Sequence, residues 1–183
     1  MIREVKAAAF ILAGGLSRRM GRDKALLAFR GSTLLEHVAA RAGEVAGPVT
    51  IVGPPERYSH LGYPVIADRR PGSGPLAGIE AALLSSPSSR ALILACDMPD
   101  VPLELLRSLL EKSGDCVLPR TSDGRLNPLC AVWSRTLLPA VQEALSEGRL
   151  KVLDCLKGAH VKEIAWPMLG NANTPDEWVE IAG

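Results

Sequence analysis

An excess of charge of either sign is missing from this sequence: 21 Lys and Arg stand against 20 Asp and Glu, a net charge of +1 over 183 residues. Binding nucleic acid through its phosphates requires a basic excess, so this balance argues against a nucleic-acid partner. Any anionic ligand has to be met by local charge. Aromatic side chains are few, and Trp133, Trp166 and Trp178 are too scattered for a base-stacking platform, so they read as core or edge residues. The four cysteines (Cys96, Cys116, Cys130, Cys155) include no C-x-x-C pair. That disfavours a zinc site or disulfide framework and suits reduced thiols, packed as small hydrophobes, in a cytoplasmic protein. His37, His60 and His160 share no metal-like spacing and read as peripheral. No apolar run approaches membrane-spanning length, and the apolar start ends at Gly14-Gly15 and a basic stretch, so neither a membrane helix nor a secretory leader is expected.

What is present is a regular alternation. Hydrophobic residues make up 47% and charged residues 22%, values of an ordinary globular domain, and no repeat or linker interrupts residues 1–183. Short continuous apolar runs at 7–12, 49–52, 64–67, 91–95, 116–118 and 129–133 predict strands buried on both faces. Between them lie amphipathic segments. Thr33 and Glu36 form a capping-box pattern ahead of a helix ending near Gly47-Pro48, and further helices are predicted over 76–84, 102–112, 139–145 and 175–181. The expected fold class is α/β, a Rossmann-like three-layer sandwich with a mainly parallel sheet.

Ligands of open α/β sheets sit beyond the carboxyl ends of the strands, so the residues following each apolar run carry the functional reading. The first run is followed by Gly14-Gly15-Leu16-Ser17-Arg18-Arg19-Met20-Gly21-Arg22-Asp23-Lys24, the third by Asp68-Arg69-Arg70 and the fourth by Asp97. Glycines beside a strand end let backbone N–H groups approach phosphate oxygens, and Arg19, Arg22 and Lys24 add the charge a polyphosphate requires. The spacing is neither G-x-x-x-x-G-K-[ST] nor G-x-G-x-x-G, which disfavours a P-loop GTPase or a nicotinamide-dependent dehydrogenase.

The segment from Leu12 to Lys24 resembles the nucleotide-binding signature of the molybdenum cofactor guanylyltransferases, MobA-like members of the nucleotidyltransferase superfamily. Gly74-Pro75-Leu76-Ala77-Gly78, Cys96-Asp97-Met98-Pro99 and Asn171-Ala172-Asn173-Thr174-Pro175 match further family segments in order, so the resemblance spans nearly the whole chain. It implies a nucleotide-diphospho-sugar transferase-like fold and transfer of GMP from Mg-GTP to molybdopterin, with pyrophosphate released. By the same resemblance Leu12, Ala13, Gly14, Gly15, Lys24, Asp68, Gly74, Gly78 and Asp97 bind the nucleotide. Arg19, Lys24 and Asp97 act on the phosphates, Asp97 as the Mg²⁺ ligand, and Asn171 and Asn173 face the acceptor. Arg125 and Asn127 are weaker acceptor-side candidates, and molybdoenzymes or cofactor-insertion proteins are possible recipients. Gly53 departs from the Asn that many family members carry after the second strand. A cytidylyltransferase or another nucleotidyltransferase of the superfamily, and a non-catalytic nucleotide-binding or cofactor-delivery module, are the alternative readings.

Overall fold

The computed structural model describes residues 7–14 and 23–170. Its central strand, β1 (Ala8–Leu12), is parallel to β4 (Val49–Val52) on one side and to β6 (Arg90–Ala95) on the other. The sheet extends through β5 (Val65–Ile66) beyond β4. On the other flank lie β8 (Cys130–Ser134), β7 (Cys116–Thr121) and β9 (Val161–Trp166), giving the order β5-β4-β1-β6-β8-β7-β9. Only β8 runs antiparallel to its neighbours in this sheet. A separate small hairpin pairs β2 (Ala28–Phe29) with β3 (Ser32–Thr33).

Successive strand residues point to opposite faces, and both faces are apolar because both are covered. Ala9 and Ile11 of β1, Leu92 and Leu94 of β6, and Val132 of β8 form one core with α1 (Leu34–Gly43) and α4 (Leu103–Glu111). Ala8, Phe10, Ala91, Ile93 and Trp133 form the other with α3 (Pro75–Ser85) and α5 (Leu138–Ser146). The result is the expected three-layer α/β sandwich. Trp133 is fully buried and its indole N–H donates to the Pro128 carbonyl at 3.0 Å, satisfying its one polar group. The thiols of Cys116, Cys130 and Cys155 are buried in these cores, as the sequence predicts.

Differences from the sequence reading have physical causes. The strand β9 carries Lys162 and Glu163 on a half-exposed edge, so it contains no continuous apolar run to announce it. The third predicted strand shortens to Val65–Ile66, while the fifth extends past Pro119 to Thr121 by pairing with β9. A short helix, α2 (Pro55–Tyr58), was also unanticipated; it opens at a proline after Gly53-Pro54. The helix predicted over 175–181 lies outside the described residues.

The capping box of α1 is fully formed. The Thr33 hydroxyl accepts from the Glu36 amide at 3.2 Å, and the Glu36 carboxylate accepts from the Thr33 amide at 2.9 Å and from its hydroxyl at 2.7 Å. These bonds favour the ionised carboxylate and hold its pKa below the ordinary glutamate value. Thr33→Ala is expected to cost about 1 kcal/mol of folding stability near neutral pH. Because a lowered carboxyl pKa stabilises the fold only while the group is ionised, the deficit against wild type should shrink as acid protonates Glu36. Urea melts of both proteins across an acid pH series measure this.

Candidate functional site

After β1 the chain proceeds outward to β4 and β5, then returns to place β6 on the other side of β1. The order reverses there, and such a reversal is where open α/β sheets form a crevice at the carboxyl edge of the strands. Backbone bonds hold the strand ends level: Ala13 N–H donates to Val52, Gly53 N–H to Ile66 and Cys96 N–H to Leu12, at 2.9, 2.9 and 3.1 Å. A cleft of about 360 Å³ opens at this point, lined by residues including Leu12, Gly14, Asp68, Gly74, Gly78 and Asp97.

Asp97 stands just beyond β6. One carboxylate oxygen, Oδ2, is 3.5 Å from Lys24 Nζ; the other, Oδ1, is buried with no hydrogen-bond partner among the described residues. A buried acceptor without a partner is costly unless something else completes it. The hard oxygen donor suits a divalent cation such as Mg²⁺, which needs only one or two carboxylates when phosphate oxygens and water supply the rest. Among the described residues no group of three or more His, Cys, Asp or Glu side chains could hold a metal by itself.

Lys24 is largely buried and begins a 3₁₀ turn, Lys24–Leu26. Asp23 caps that turn, its Oδ1 accepting from the Ala25 amide at 3.1 Å, and so fixes where the lysine side chain departs. Asp68 serves its turn and faces the cleft together. Its Oδ1 accepts from the Arg70 amide at 3.2 Å, while a methyl group built on Gly14 would stand 4.0 Å from its Oδ2. Gly74, at φ +66°, makes the entry to α3 in a conformation that side chains resist. Gly78 lets α3 approach the sheet, since a Cβ there would lie 3.0 Å from Leu12 Cδ2. Ala13 is buried, with its N–H committed to Val52 and its carbonyl accepting from Tyr58, so it sets the strand end beside the cleft. Gly15, Arg19, Asn171 and Asn173 lie outside the described residues.

Several neighbours were not anticipated. Glu80 of α3 is 3% exposed, and its Oε2 lies 3.5 Å from Arg70 Nε without forming a hydrogen bond. This ion pair joins α3 to the segment that follows Asp68; the one signal for it was an acidic residue inside the apolar stretch Gly78-Ile79-Glu80-Ala81-Ala82. Gly53 has its own explanation, because a Cβ there would meet Tyr58 Cε2 at 2.7 Å. Any side chain at this position, the Asn that the resemblance leads one to expect included, would collide with this ring.

A second cavity, of about 590 Å³, lies on the same sheet edge between Thr121–Asn127 and Pro167–Leu169. Ser122 N–H donates to the Pro167 carbonyl across it at 3.2 Å. Arg125 is exposed and paired with Asp123 at 3.1 Å. Asn127 accepts from the Leu129 amide at 3.2 Å and points its amide toward Met98 Sδ at 3.8 Å, linking this rim to the Asp97 loop.

Cys96 also lines the first cleft, so unlike the other three thiols it is not simply a core residue. Burial pushes the thiols of Cys96, Cys116 and Cys130 up to about 12, with Asp97 adding to the effect on Cys96, and burial raises Cys155 too. At about pH 8 the folded protein is therefore expected to react far more slowly with Ellman's reagent than the unfolded chain. Thiol titration with and without guanidinium checks this.

The comparisons with other proteins agree with this geometry. The profile of the MobA-like NTP transferase domain matches residues 9–161. A probable molybdenum cofactor guanylyltransferase of Carboxydothermus hydrogenoformans is 34% identical over 182 residues, covering 93% of this chain and 92% of the relative. Another from Pelotomaculum thermopropionicum is 36% identical, covering 96% and 92%. The crystal structure of molybdopterin-guanine dinucleotide biosynthesis protein A from Archaeoglobus fulgidus superposes with a TM-score of 0.78 at 25% identity, covering 96% of each chain. A 2-C-methyl-D-erythritol 4-phosphate cytidylyltransferase from Thermus thermophilus shares the fold, with a TM-score of 0.72 at 19% identity over 94% of this chain and 96% of that one. With its crevice at the strand-order reversal and its profile match over most of its length, the chain belongs to the MobA-like NTP transferase family and is a nucleotidyltransferase.

Proposed function

We propose that residues 1–183 act as one nucleotidyltransferase domain that transfers GMP from GTP to molybdopterin, forming the guanine dinucleotide and pyrophosphate. The observation that carries this reading is the Asp97 carboxylate, paired with Lys24 through one oxygen and unpartnered at the other, at the mouth of a nucleotide-sized cleft. The relatives named as guanylyltransferases support the choice of substrates.

In this reading a phosphate oxygen of molybdopterin attacks the α-phosphorus of GTP, the bond to the β-phosphate breaks, and pyrophosphate leaves with the electron pair. The attacking phosphate is already ionised at neutral pH, so no strong general base is required, and catalysis is positioning and charge neutralisation. Lys24 bears on the phosphates, with Arg19 assigned beside it by the resemblance. Mg²⁺ held by Asp97 would supply further neutralisation of the phosphate charge. Gly14 gives the α-phosphate close access to the end of β1, while Asp68, Gly74 and Gly78 border the nucleoside side of the cleft. The second cavity, between Thr121–Asn127 and Pro167–Leu169, gives the acceptor a place on the same edge. Asn171 and Asn173 follow its far wall in sequence.

Purified protein incubated with Mg²⁺, molybdopterin and each nucleoside triphosphate in turn should release pyrophosphate and form a dinucleotide with GTP. Product with CTP instead would move the chain to the cytidylyl branch, and tight GTP binding without turnover would make it a binding module. Two variants test the site. Lys24→Met is expected to lower kcat by roughly 100-fold. Asp97→Asn, nearly isosteric, is expected to abolish metal-dependent turnover while the melting temperature holds; wild-type turnover in that variant would refute the assignment of Asp97.

A further inference from the structure

The side chain that joins the two ends of the glycine-rich segment comes from neither end. Tyr58, the last residue of α2, is 1% exposed, and its ring lies against the bare backbone of Gly53. Its hydroxyl oxygen stands 2.5 Å from the Ala13 carbonyl oxygen, at the end of β1, and 2.9 Å from Asp23 Oδ2, immediately before Lys24. Both neighbours are acceptors, so the single phenolic hydrogen is shared between them and the phenol has to remain protonated. Burial and the nearby Asp23 carboxylate keep it so, raising its pKa well above the ordinary phenol value. Arg57 on the same helix reaches Asp23 Oδ2 at 3.5 Å and offsets its charge.

The chain of contacts leads directly to the reacting groups. Asp23 spends its second oxygen on the Ala25 amide, which fixes the turn bearing Lys24, and Lys24 faces Asp97. Ala13 precedes Gly14, a wall of the nucleotide cleft. We propose that Tyr58 is a positioning residue for nucleotide binding, its hydroxyl setting the separation between the end of β1 and the turn that carries Lys24. Gly53 belongs to the same device, since any side chain at that position displaces the ring. The inference rests on the nucleotidyltransferase reading and adds to it a residue that touches no substrate.

The test compares wild type with Tyr58→Phe, Asp23→Asn, their double variant and Gly53→Ala. Calorimetry with Mg²⁺ and GTP or CTP reads nucleotide affinity, and pyrophosphate release reads turnover against each substrate. Tyr58→Phe keeps the ring packing, so its melting temperature should stay close to wild type. Loss of a hydrogen bond to a charged group should weaken binding of the preferred nucleotide about tenfold and leave KM for molybdopterin unchanged. The double variant should bind no worse than the weaker single variant, as expected for two groups acting through one contact. Gly53→Ala should give the same nucleotide-selective loss, and it carries the comparison if Tyr58→Phe does not fold. Wild-type nucleotide affinity and turnover in Tyr58→Phe would overturn the proposal. So would a loss that follows melting temperature and affects both substrates equally. Wild-type protein that binds neither nucleotide would overturn the nucleotide reading itself, and the role of Tyr58 with it.

Discussion

The strand β1 is walled in on four sides, by parallel strands at both edges and by a helical layer on each face, and this confinement shapes everything at the site. Such a strand must be apolar and small enough for both layers to close over it, which Ala8, Ala9, Phe10 and Ile11 satisfy. It must also hand all its backbone polar groups to the ladder. Its chain leaves the sheet at the carboxyl edge, where β4 and β6 end level with it and the strand order reverses between β1 and β6. The crevice is thus a consequence of connectivity, and the side chains around it are those that happen to follow buried strands.

A chain of nearly zero net charge meets an anionic ligand by keeping its charges in place at that crevice. Lys24 faces Asp97, Arg57 faces Asp23, and Arg70 faces Glu80, and in each pair the carboxylate is less than a quarter exposed. Buried carboxylates are expensive unless compensated, and oxygens on two of these three lack a full hydrogen-bond complement. By contrast, pairs such as Arg125 with Asp123 are exposed and contribute little to stability. Of the two incompletely satisfied carboxylates, Asp97 lines the cleft and Glu80 holds the segment after Asp68 against α3. Stability alone would favour apolar residues there, so their presence marks a surface arranged for a ligand.

How much of this could be read from residues alone depended on whether the signal was local. Continuous apolar runs revealed β1, β4 and β6, because strands buried on both faces have no polar side to interrupt the pattern. The capping box of α1 was legible for the same reason: Thr33 and Glu36 are three residues apart and need no tertiary partner. Lys24 and Asp97 could be named as separate candidates after their strands, but their 3.5 Å approach is a product of the β1–β6 pairing. Tyr58 was illegible. Its ring, its hydroxyl and the absent side chain at Gly53 acquire meaning only once β4, α2 and the turn at Asp23 are brought together. The edge strand β9 was missed because an edge tolerates charge, and the features that protect it from pairing with other chains also hide it from a hydrophobicity pattern.

Two carboxylates among the described residues line the cleft, and that of Asp68 already accepts from the Arg70 amide through one oxygen. Among these residues Asp97 Oδ1 is buried without a hydrogen-bond partner, and no group of three or more His, Cys, Asp or Glu side chains is placed to hold a cation. A hard divalent ion with six oxygen ligands then finds most of them on phosphate groups and water. On the proposed function, a metal at Asp97 would therefore arrive with the triphosphate that supplies most of its ligands. Lys24 would reinforce that dependence, because an ammonium group 3.5 Å from the carboxylate opposes a cation there unless phosphate oxygens offer the lysine another partner. The contact between them, a long hydrogen bond of 3.5 Å within an ion pair, is weak enough that binding of phosphate would replace it at small cost.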